Sequence, residues 1–131
     1  MTVYHGTSKS SADNMVKVGW TPNKYGPTGN NGKSKYLYVS TMFDDALWFA
    51  NEIGDSTVVK IKCYQNDLYP DPDDEGGFTK EELLKRKELP AKFIIKIPIA
   101  PHNIKIDSKN INESKFDIEV INRLIKKYDH V

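Results

Sequence analysis

Apolar residues along the chain fall in short runs separated by stretches of Gly, Pro, Asn and Asp, and the period within each run predicts its element. Val3-Tyr4 reads as a short strand ending at His5-Gly6-Thr7-Ser8. Ser10 to Gly19 reads as a helix, with Ser10 and Asp13 as a capping pair and Gly19 as its left-handed stop. Residues 21 to 35 are turn formers almost without apolar content, which predicts a long exposed loop of the kind that often walls a ligand site. Tyr36-Leu37-Tyr38-Val39 then reads as a strand, and a helix over about 42 to 53 follows from Ala46, Phe49, Ala50 and Ile53, with Thr41 and Asp44 as its capping box. Gly54 ends it.

Farther on, strands are expected over 57 to 63, 93 to 97 and 104 to 106, and a helix over 79 to 88 anchored by Leu83 and Leu84. The segment Phe116 to Val120 alternates with a period of two. Ile118, Ile121, Ile125 and Tyr128 nevertheless fit a helical face, and acidic residues early with lysines late suit the dipole of a helix over about 115 to 128. Crossover helices do not regularly separate the later strands. The expectation is therefore an α+β domain with a mixed sheet flanked by helices, not a doubly wound parallel sheet.

Composition narrows the picture. The 131 residues fit one domain, 1–131, and 38% apolar against 28% charged content leaves an ordinary core under a polar surface. No run approaches the roughly 18 apolar residues of a spanning helix, and the first residues lack the basic and apolar parts of a signal peptide, so a cytoplasmic location is expected. A net charge of +1 argues against a dedicated duplex-binding surface. The acidic run from Asp67 to Glu82 lacks the register of a calcium loop and reads as a solvated loop. Cys63 has no partner in the chain and reads as core or sheet-edge filler.

Gly-rich phosphate loops, paired cysteines and His-Glu-x-x-His are absent from the sequence. Of three histidines, His102 sits in a proline turn and His130 is next to last; both read as surface residues. His5 stands out because Gly6 would allow a ligand close to the backbone and Thr7 and Ser8 add hydroxyls, a set suited to a sugar or phosphate edge or to capping a strand. Tyr36 to Thr41 would deliver two rings and two hydroxyls to a helix N-terminus, where free amides favour an anion.

Taken together, Tyr4-His5-Gly6-Thr7-Ser8, Gly19-Trp20-Thr21-Pro22, Leu37-Tyr38-Val39-Ser40-Thr41 and Asp45-Ala46-Leu47-Trp48-Phe49-Ala50 resemble the NAD-binding half of the ADP-ribosyltransferase superfamily. The likeness is to members with a His-Tyr-Glu site, and the His-Gly-Thr is similar to that of RNA 2'-phosphotransferases of the same fold. Phe93 to Ile104 looks like the late strand and proline turn of small bacterial and viral members. The resemblance implies a split, antiparallel-rich sheet with NAD as substrate between its halves, no metal, and a monomer that passes ADP-ribose to a macromolecular acceptor, protein or nucleic acid. It places His5 on a ribose, Gly6 and Thr7 on the nicotinamide amide, Tyr38 or Tyr36 on the nicotinamide ring, and Ser40 and Thr41 beside the nicotinamide ribose. The family glutamate would stand near the start of the late strand, where this chain has Lys92, so Glu88 is the expected catalytic carboxylate and Glu119 its reserve. The alternatives are a nucleotide- or protein-binding domain of the same fold without catalysis, and a 2'-phosphotransferase gripping phosphate through Arg86 and Arg123.

Overall fold

The computed structural model describes residues 1–22, 35–52 and 57–107. The expected loop over 21 to 35 falls largely outside them, as do Ile53, Gly54, the tail helix over 115 to 128, Glu119, Arg123 and His130. Among the described residues six strands form one sheet: β1 (Thr2–Thr7), β2 (Leu37–Ser40), β3 (Thr57–Lys62), β4 (Leu68–Pro70), β5 (Lys92–Ile95) and β6 (Ile104–Ile106). Their order is β4-β5-β2-β1-β3-β6, and every pairing is antiparallel. Three α-helices among the described residues accompany them: α1 (Lys9–Val18), α2 (Phe43–Glu52) and α3 (Lys80–Leu84). Among the described residues no helix is long and apolar enough to cross a membrane.

The larger core lies on the sheet face that holds Val3, Leu37, Val39, Val59, Ile61, Phe93 and Ile95, with Ala12 and Met15 of α1 against it. A smaller cluster of Ala46, Leu47 and Val58, with Tyr4 and Phe43, seats α2 on the other face. Gly6 makes that seat possible. A Cβ there would stand 2.0 Å from the Ala46 carbonyl oxygen and 2.9 Å from the Ala50 nitrogen, so the glycine serves the close packing of α2 on β1.

Several boundaries differ from the sequence reading. His5 lies inside β1, because the strand runs on through Gly6 and Thr7 to pair with Val58 and Thr57. Ser8, not Ser10, caps α1, its Oγ accepting from the Ser11 amide at 3.2 Å. Thr41 does not cap α2: its N–H donates to Ala91 O and its Oγ1 accepts from Ala91 N, both at 3.0 Å, while Ser40 Oγ takes the Met42 amide. The helix expected over 79 to 88 stops at Leu84, with Lys85 as its C-cap and the Arg86 amide closing on Leu83 O at 3.2 Å. Strand β4 went unread because Tyr69-Pro70 borders the acidic run and has no alternating pattern of its own.

Candidate functional site

The β1–β2 junction is the loosest seam of the sheet. Tyr4 and Ser40 are its one registered pair, whereas β1 and β3 register along six residues and β2 and β5 along four. Beyond Tyr4 the two strands diverge, and His5 Nδ1 crosses to the Tyr38 carbonyl oxygen at 2.6 Å. A carbonyl only accepts, so Nδ1 carries the hydrogen. Burial holds the imidazole pKa below its ordinary value, against the opposing pull of that same hydrogen bond. The ring is therefore neutral near pH 7, with the Nε2 lone pair as an acceptor.

On the α2 side of this seam lies a cavity of about 550 Å³ whose wall includes Tyr4, Gly6, Tyr38 and Ser40 from the sheet, Asp45, Trp48 and Phe49 from α2, and Asp71, Asp74 and Lys92. Its rings are partly open to solvent: Tyr38 is 42% exposed and Phe49 55%. The expected apolar face of α2 is turned accordingly. Ala46, Leu47 and Ala50 face inward, and Phe49 stands at the cavity.

The acidic run is solvated only in part: Asp73, Asp74, Glu81 and Glu82 are exposed as expected, whereas Asp71 and Glu75 are buried. Glu75 is 4% exposed, accepts from Arg86 Nη1 at 2.8 and 3.1 Å, and accepts from the Lys92 amide at 3.0 Å. Asp71, 5% exposed, gives its N–H to Lys92 O and takes the Asp73 amide on Oδ1 at 2.9 Å. Lys92 Nζ meets Asp74 at 2.9 Å. These bonds fasten the loop across the start of β5 and bring carboxylates to the cavity. Burial first, then the neighbouring carboxylates, raise the Asp71 pKa despite the Asp73 and Asp74 amides that oppose the shift. The Tyr38 phenol is also pushed up, by burial and then by the charges of Asp71 and Asp73, and stays protonated.

Of the residues expected from the sequence, Gly6, Tyr38 and Ser40 line this cavity. His5 alternates to the opposite face with Val3 and Thr7 and touches the site through the Tyr38 carbonyl. Thr7 is buried in its pairing with Thr57, and the Thr41 hydroxyl is engaged with Ala91. Tyr36 precedes β2, with Lys96 Nζ 5.6 Å from its ring centroid, and of Tyr36 and Tyr38 it is Tyr38 that lines the cavity. Glu88 is exposed and does not line it. The α2 N-terminus offers no free field for an anion, because Asp44 and Asp45 occupy its first turn.

Asp45, Trp48, Phe49, Asp71 and Asp74 were missed. Asp45, Trp48 and Phe49 entered the sequence reading only within the stretch Asp45 to Ala50, Phe49 also on the apolar face of the helix, with no role at a site given to them. Cys63 packs against the core next to β3, and burial pushes its thiol pKa up, in keeping with a filler. No protein-family model, curated protein or solved structure matches the chain.

Proposed function

We propose that the cavity takes the nicotinamide end of NAD and that the protein transfers ADP-ribose from it, releasing nicotinamide. One observation carries this reading: the wall combines aromatic rings with carboxylates, Tyr38 and Phe49 beside Asp45, Asp71 and Asp74. That chemistry suits a flat ring that is itself positive. The pyridinium of NAD gains from ring faces and from negative charge together, about 0.5 to 2 kcal/mol for each cation–π contact. Its charge also makes it a good leaving group, so the protein's part is orientation and electrostatics. The diverging seam supports the same reading, since it separates the sheet into β4-β5-β2 and β1-β3-β6 beside the cavity. Neutral His5 serves the seam from the opposite face, where its Nδ1–H holds the Tyr38 carbonyl.

The 2'-phosphotransferase alternative is weakened, because Arg86 is already paired with Glu75. The non-catalytic alternative draws on Lys92, a cation at the start of β5 where a carboxylate would aid a developing positive charge. Calorimetry with NAD and NADH tests the binding claim. The neutral dihydronicotinamide ring of NADH should bind at least about fivefold more weakly, the equivalent of one cation–π contact of about 1 kcal/mol. Equal affinities would remove the basis for placing the pyridinium there.

A further inference from the structure

The carboxylate that the family resemblance calls for is missing from the start of β5, yet the cavity wall has carboxylates of its own. Asp74 is held by Lys92. Asp45 lies on α2 and has other interactions. Asp71 differs from both in how it is fixed. Its backbone N–H is tied to the carbonyl of Lys92, the first residue of β5, at 3.1 Å. Its carboxylate is oriented by the amides of the turn it caps, those of Asp73 and Asp74. The Asp73 and Asp74 carboxylates stand near it in the same turn and oppose its charge, with Lys92 Nζ held on Asp74. A buried carboxylate in such company is relieved by a cation brought close to it.

We propose that Asp71, held by its turn in the same cavity wall as Tyr38, is the catalytic carboxylate that faces the nicotinamide ribose, an assignment that rests on the ADP-ribosyl transfer reading above. As the bond between ribose C1' and the pyridinium nitrogen breaks, its electron pair goes to the nitrogen and nicotinamide leaves neutral. Positive charge passes to the sugar, opposite the Asp71 carboxylate. An acceptor hydroxyl or amine, or water, then bonds to C1', and the proton it loses passes to Asp71 and on to solvent.

Asp71→Asn tests this, because the asparagine Oδ1 keeps the turn acceptor and loses only the charge. In the full-length chain the variant should keep its melting temperature, bind NAD within about tenfold of wild type, and release nicotinamide roughly 10²-fold more slowly, the scale of one lost transition-state contact. Nicotinamide release by the wild type should also fall on the acid side, at a pH above that of an ordinary aspartate, as Asp71 takes up a proton. If Asp71→Asn does not fold, that profile decides, and a rate flat down to the ordinary aspartate range overturns the assignment. Wild-type release in a folded Asp71→Asn overturns it too, as does a loss seen in Glu88→Gln and not in Asp71→Asn. Nicotinamide release by the wild type with no effect of Asp71→Asn would remove the Asp71 role alone. Failure of the wild type to bind NAD would remove the transfer reading and the Asp71 role with it.

Discussion

His5 and Asp71 are both titratable groups held by backbone, and the backbone decides the form each takes. The Tyr38 carbonyl 2.6 Å from His5 Nδ1 demands a hydrogen on that nitrogen, and burial keeps the second proton away. The folded pKa is thus lower than the unfolded one, so the unfolded chain binds the proton first as pH drops, and stability is lost with falling pH. Melting temperature should therefore decline between about pH 7 and pH 5, and His5→Gln, whose amide still donates to Tyr38 O, should flatten part of that slope. A slope unchanged by the substitution would contradict the buried neutral ring. His5 drew notice in the sequence because Gly6 and the hydroxyls of Thr7 and Ser8 follow it. Asp71 did not, because a carboxylate amid Pro and Asp reads as solvated until Glu75 is seen to draw the segment down onto Lys92. Glu88 was chosen by its distance from Phe93 along the chain, and that distance carries no information on which way the segment faces.

At the scale of elements, the segment between β4 and β5 is held by a few charged groups. Glu75 joins Arg86, which follows α3, to the first amide of β5, and Arg86 also donates to Pro90 O at 3.3 Å and lies 4.9 Å over the Phe78 ring. Removing one partner of such a pair leaves a buried charge without its complement. Glu75→Gln is expected to cost about 2 to 3 kcal/mol in denaturant unfolding and to loosen the cavity wall. A loss below about 0.5 kcal/mol would mean that backbone pairing alone holds the segment. The strands around Val59, Phe93 and Ile104 and helix α2 were legible from the pattern of their apolar positions, and α1 from the cap residues at its ends. Strand β4 and the true end of α3 were not. Both depend on contacts with β5 and Arg86, distant in sequence, and no local pattern encodes them.

For the molecule as a whole, an antiparallel sheet with one loose seam was expected only through the family resemblance. The seam itself is written in tertiary pairing: β1 registers fully with β3, and its other edge meets β2 at Tyr4 and Ser40. With α2 seated over Gly6 on one side and the acidic segment fastened to β5 on the other, the space between them becomes a cavity with aromatic and carboxylate walls. The chemistry proposed for that cavity is cleavage of NAD at the nicotinamide bond. The most direct measurement is therefore nicotinamide release by the purified full-length chain incubated with NAD, followed over time by chromatography with and without candidate protein and nucleic-acid acceptors. Release that grows with enzyme concentration, with an acceptor raising the rate, and that falls roughly 10²-fold in Asp71→Asn is the expected result. NAD recovered intact at every enzyme concentration, acceptors included, would contradict it.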